Sequence, residues 1–174
     1  MSFQPGLRLL GANALPSRAP AVTGAFALPF AGYFVFLSLR VSLARIVHRV
    51  ALGDTVPVPA AKKDSPQPPP PSSSAATPSP SYDPLQLATR AHQNLAENLP
   101  LALVLAAIAE LNRAKPERLA VALTVLFALR VLHAEFGLGR PDAMGIGRPV
   151  GYYGTMAVLG WLAGWSAWLV YYRE

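Results

Sequence analysis

Three stretches of the chain place charged or polar side chains within or beside long apolar runs. Arg90, Asn94 and Glu97 fall at i, i+4 and i+7, on one face of a helix. Arg130 and His133 fall at i and i+3, again on one face, and Arg148 opens a further apolar run with Tyr152 one turn on. Polar groups inside membrane-length runs are costly, so they usually have partners and often a task. Helical rise puts Glu97 and Arg130 at similar depths. A buried ion pair between them is expected, serving as a fastener of helix register, as part of a site, or as both. Arg90, Arg130, Arg140 and Arg148 crowd toward one end of the chain's apolar segments. With the positive ends of two helices beside them, they would form an anion-binding mouth above an apolar interior. Anchoring to lipid headgroups accounts for the same arginines equally well.

The elements that must position these groups are four apolar segments. Crossing the hydrocarbon takes about 20 mainly apolar helical residues. The spans expected are Ala25 to Ile46, Leu95 to Leu111, Leu119 to Leu138 and Val150 to Tyr172. The second helix has a readable start, with Asp83 as N-cap, Pro84 at the first helical position and Gln86 in a capping-box place. It therefore extends well beyond its apolar part, and Pro100 is expected to kink it. On the fourth helix, Trp161, Trp165 and Trp168 form a stripe suited to membrane interfaces and packing. Gly160 and Gly164 on the same helix form a small-xxx-small pair suited to close helix contact between subunits. Residues 1–24 read as a disordered arm ahead of a membrane domain at 25–174. Within that domain, the Pro- and Ser-rich insertion at 57–80 cannot bury a core.

Composition agrees with an all-α integral membrane protein, a four-helix bundle. Hydrophobic residues make up 52% and charged residues only 14%, against roughly 25% charged in soluble domains. There is no cysteine, which excludes disulfides, a thiolate zinc site and a cysteine nucleophile. Any thiol chemistry must come from a ligand. Three histidines scattered along the chain make no local metal motif. The net charge of +6 lies mainly between the apolar runs and forms no stripe for nucleic acid, so membrane lipids are the expected anionic partners. Four spans put the N-terminus, the 112–118 loop and the C-terminus on one side with Arg8, Arg18, Arg113, Lys115, Arg118 and Arg173. The remaining nine of the fifteen Lys and Arg lie toward the other side, which favours a cytosolic insertion.

The segment Arg90-Ala91-His92-Gln93-Asn94-Leu95-Ala96-Glu97-Asn98-Leu99-Pro100 resembles the helix-two signature of the MAPEG proteins, membrane-associated proteins of eicosanoid and glutathione metabolism. Arg130-Val131-Leu132-His133-Ala134 resembles the family's helix-three motif, and Arg148 with Tyr152 resembles the arginine–tyrosine pair that opens helix four. The resemblance covers the four helices, not the arm or the insertion. It implies a homotrimer with glutathione bound between subunits near the cytosolic face. Asn94, Glu97, His133, Arg148 and Tyr152 match glutathione-contacting positions. Arg90 and Arg130 match arginines that hold helices and ligand in register. Arg148 would be the catalytic residue, stabilising the thiolate so that the nucleophile exists at neutral pH. Gln93 stands where the well-studied animal enzymes have another arginine, and Pro149 where some have serine. The chain looks nearer a microbial or fungal branch.

The function implied is a glutathione-dependent transferase or peroxidase acting on lipophilic electrophiles from the bilayer, in the endoplasmic reticulum or another organelle membrane. The alternative is a non-enzymatic lipid-binding or scaffold member. A transporter would show repeated broken helices, which this chain lacks.

Overall fold

The computed structural model describes residues 20–53, 83–140, 143 and 145–172, and those residues contain four long helices and no strand. Helix α1 is Ala21–His48, α2 Pro84–Leu111, α3 Pro116–His133 and α4 Gly147–Tyr171. A single π-helical turn, Ala134–Leu138, continues α3. The first helix begins one turn ahead of the expected Ala25. The arm falls almost entirely outside the described residues, and the insertion at 57–80 falls entirely outside them.

Three helices, α1, α2 and α3 with its π turn, are long and apolar enough to cross a membrane. The fourth has the length, 25 residues, but its glycines, tryptophans and tyrosines dilute its hydropathy. Large apolar side chains cover the outer surface, among them Leu28 (78% exposed), Ile46 (73%) and Val121 (63%). Such a surface is suited to lipid, and the protein is an integral membrane protein.

Local chemistry sets the helix limits. At the start of α2, Asp83 Oδ1 accepts from the Leu85 amide at 2.8 Å, with Pro84 following in the place where its missing N–H costs nothing. Asn112 closes the same helix, its side chain and amide both donating to the Ile108 carbonyl. Helices α1 and α2 each run unbroken through an internal proline, Pro29 and Pro100. Membrane helices tolerate this where neighbours re-satisfy the freed carbonyl.

The core forms where alanines on α2 let other helices approach. Ala102 and Ala106 are fully buried against Phe30 of α1, Leu119, Leu123 and Leu126 of α3, and Leu162 of α4. Phe30 meets Phe127 edge to face, with centroids 5.3 Å apart. A second cluster, including Leu37, Ala91, Leu95, Ala134 and Leu138, fills the opposite end of the bundle. Beside it, Arg40 of α1 pairs with Glu135 of the π turn at 2.6 Å, and the Tyr33 hydroxyl donates to the same carboxylate at 3.3 Å.

The start of α1 has no cap of its own, since Pro20 holds the N-cap position. Glu110, near the end of α2, supplies one across the bundle. Its carboxylate accepts from the Val22 amide at 2.7 Å, the Thr23 amide at 2.9 Å and the Thr23 hydroxyl at 2.8 Å. Bonds to a charged acceptor are worth about 1.5–3 kcal/mol each at most, and a lost cap about 0.5–2. Glu110→Ala is therefore expected to lower stability by roughly 2 kcal/mol. A thermal unfolding midpoint in detergent measures it; an unchanged midpoint would show that the cap contributes nothing.

Candidate functional site

At the end of the bundle where α2 and α4 begin and α3 ends lies a cleft of about 650 Å³. Arg90, Asn94 and Glu97 from α2, His133 from α3, and Arg148 and Tyr152 from α4 all line it. Three segments far apart in sequence thus converge on one volume. Gln93 and Pro149, the two departures from the resembled pattern, also line it. Both α2 and α4 direct their N-terminal ends here, adding partial positive charge to the two arginines.

Arg130 is the residue of the seven that does not line the cleft. It is 3% exposed and donates to Asn94 Oδ1 and to the Gly151 carbonyl, tying α2 and α4 to α3. The expected Glu97–Arg130 ion pair is absent. Asn94, one turn nearer the mouth, and a backbone carbonyl of α4 satisfy the guanidinium as neutral acceptors, while Glu97 turns outward into the cleft and is exposed. Arg130 Nε is left buried without a partner.

The approach of α4 to α3 depends on missing side chains. A Cβ on Gly147 would lie 2.3 Å from the Leu132 carbonyl oxygen, and one on Gly151 2.5 Å from His133 Cβ and 2.8 Å from the Leu129 carbonyl. A Cβ on Gly137, in the π turn, would lie 2.6 Å from the Arg148 amide nitrogen. These contacts set where Arg148 and Tyr152 point. By contrast, Gly160 and Gly164, singled out for their spacing, have nothing within 4 Å inside the subunit. Gly147 and Gly151 have the same spacing, and that was the signal that could have found the tight contact.

His133 Nδ1 lies 3.0 Å from the Arg148 carbonyl oxygen. The Arg148 side chain is exposed and donates to the Ala143 carbonyl at 3.4 Å. Tyr153, for which no motif in the sequence gives a signal, lines the cleft beside Tyr152, the two rings 5.3 Å apart and nearly perpendicular. No group of three metal-ligating side chains exists among the described residues.

The arrangement can hold an elongated anion. Arg90 from α2, Arg148 from α4 and the two helix N-termini supply positive charge, Glu97 offers a site for an ammonium, and Arg90, Gln93 and Glu97 are all exposed on the α2 side. The model of the MAPEG family matches residues 23–168 of the chain. No curated protein matches it.

Proposed function

The chain belongs to the MAPEG family, whose members are generally glutathione-associated, and on that premise we propose a membrane-bound glutathione-dependent transferase or peroxidase acting on lipophilic electrophiles. The observation that carries this reading is the convergence of Arg90, Asn94, Glu97, His133, Arg148 and Tyr152 on one cleft. Its volume of about 650 Å³ lies within the roughly 300–1,000 Å³ of small-molecule sites. Glutathione carries two carboxylates, one ammonium and one thiol. Arg90 and the helix N-termini suit the carboxylates, Glu97 the ammonium, and Arg148 the ionised sulfur, with Asn94 and Tyr152 as neutral hydrogen-bonding groups. Gln93 offers no charge where an arginine would grip a carboxylate, so binding weaker than in arginine-bearing members is expected. That departure, with Pro149, is the basis for assigning the chain to a microbial or fungal branch.

The same cleft supports a neighbouring subunit, and the family resemblance makes that assembly a homotrimer. Arg90, Gln93 and Glu97 are exposed on a face of a spanning helix, and charged groups facing hydrocarbon cost several kcal/mol. A neighbouring subunit covering that face would remove the cost and close the site. Trp161, Gly160 and Gly164 lie on an exposed face of α4 suited to the same contact. With the positively charged side cytosolic, the cleft would open toward the cytosol, in the endoplasmic reticulum or another organelle membrane.

The second reading is a lipid-binding or scaffold member. It is favoured by a groove of about 520 Å³ between α3 and α4, lined by Val121, Ala122, Val125 and Val158 with Trp161. Conjugation of a generic chlorinated aromatic by the purified protein separates the two. Glutathione-dependent turnover is the expected result. Absence of turnover, with thermal stabilisation by lipid and none by glutathione, would favour the second reading instead.

A further inference from the structure

The geometry points to His133 as the group that takes the proton from the thiol of a thiol cosubstrate bound in the cleft. This rests on the glutathione reading above and gives it a base, which Arg148 cannot be: an arginine stays protonated and only donates.

The argument begins with the tautomer. His133 Nδ1 faces the Arg148 carbonyl oxygen at 3.0 Å. A carbonyl can only accept, so Nδ1 must carry the proton. In the neutral ring the lone pair then belongs to Nε2. That is the ring's one remaining polar atom, the ring's bond to the Arg148 carbonyl being made through Nδ1, and His133 is among the residues that line the cleft. The ring is also held in place. It lies against α4 where Gly151 has no side chain, and the residue is 7% exposed. A fixed acceptor at the cleft wall selects a donor on the ligand, and a thiol is such a donor.

The step balances without a further reagent. The S–H bond breaks, an N–H bond forms at Nε2, and the products are a thiolate and an imidazolium that still donates through Nδ1 to the Arg148 carbonyl. Net charge in the cleft is unchanged. The charged or titratable groups that line it with His133 are Arg90 and Glu97 from α2, and Arg148, Tyr152 and Tyr153 from α4, while Arg130 lies three residues away on the same helix.

The test exploits the difference between the two ring nitrogens. In His133→Asn the amide NH₂ can take the place of Nδ1–H and keep the bond to the Arg148 carbonyl, but nothing replaces Nε2. The assembled variant is compared with wild type at glutathione concentrations that calorimetry shows to saturate each. Its ultraviolet thiolate band at neutral pH should fall by at least about tenfold, returning only at alkaline pH. A second measurement needs no variant: in the ¹⁵N spectrum of wild-type protein labelled at histidine, the His133 ring should pass from the Nδ1–H tautomer to the doubly protonated form when glutathione is added. A wild-type thiolate band in His133→Asn, or a His133 ring that stays neutral on saturation, overturns the proposal while leaving the glutathione reading intact. Failure of wild-type protein to bind glutathione at all overturns both.

Discussion

Gly151→Ala is expected to destabilise the protein strongly. The new Cβ would stand 2.5 Å from His133 Cβ and 2.8 Å from the Leu129 carbonyl oxygen, and neither is the free end of a flexible chain. Moving α4 outward is the available response, and it would break the bond from Arg130 to the Gly151 carbonyl. Overpacking costs about 1–3 kcal/mol and a lost bond to a charged donor about 1.5–3, so a total of roughly 3–5 kcal/mol is expected. Gly32→Ala, on α1 with nothing within 4 Å, serves as the control. It should be neutral or slightly stabilising, because alanine is the better helix former. Thermal midpoints and gel-filtration profiles in the same detergent measure both. Equal effects from the two variants would show that the α3–α4 contact is looser than described.

The second large effect is expected at Arg130. Truncation to Ala leaves Asn94 Oδ1 and the Gly151 carbonyl without their donor and opens a cavity where a 3% exposed side chain had been. Each unsatisfied buried group costs about 1–3 kcal/mol. A loss of about 3–5 kcal/mol follows, enough to impair assembly. Lysine should not rescue it, since one ammonium cannot reproduce a guanidinium fork reaching acceptors on two helices. Glu97→Ala should cost less than about 1 kcal/mol in folding, because its carboxylate is exposed and makes no pair with Arg130. A double-mutant cycle on Glu97 and Arg130 should give a coupling below about 0.5 kcal/mol. A coupling several times larger would restore the ion pair that the structure lacks.

What the sequence made legible were features carried by a single segment. The start of α2 was readable because Asp83 and Pro84 act on their own helix. The polar face of α2 and the Arg130–His133 face followed from helical spacing alone. Contacts between segments were harder. Helical rise located Glu97 and Arg130 at similar depths, but not that Asn94 and a backbone carbonyl lie closer to the guanidinium. Glu110 gave no local signal as a cap, since the amides it binds are 87 and 88 residues away in the chain. The four-residue glycine spacing occurs at both Gly147/Gly151 and Gly160/Gly164, and only the neighbouring backbone shows that the first pair makes the tight contact within the subunit. The π turn at Ala134–Leu138 lay unread within an ordinary apolar run. Such turns often mark functional sites, and this one adjoins the cleft through Leu138.

The central claim is that Arg148 holds an ionised thiol in a cleft that folds without it. Its side chain is exposed and its contact with the Ala143 carbonyl is long, at 3.4 Å, so Arg148→Ala should leave the fold and assembly close to wild type. Glutathione titration of purified wild type beside Arg148→Ala, with assembly state checked for both, is the direct measurement. Wild type is predicted to bind glutathione and develop the ultraviolet thiolate band at neutral pH, and Arg148→Ala to remain assembled without that band. A fully assembled Arg148→Ala that binds and ionises glutathione as well as wild type would contradict the assignment.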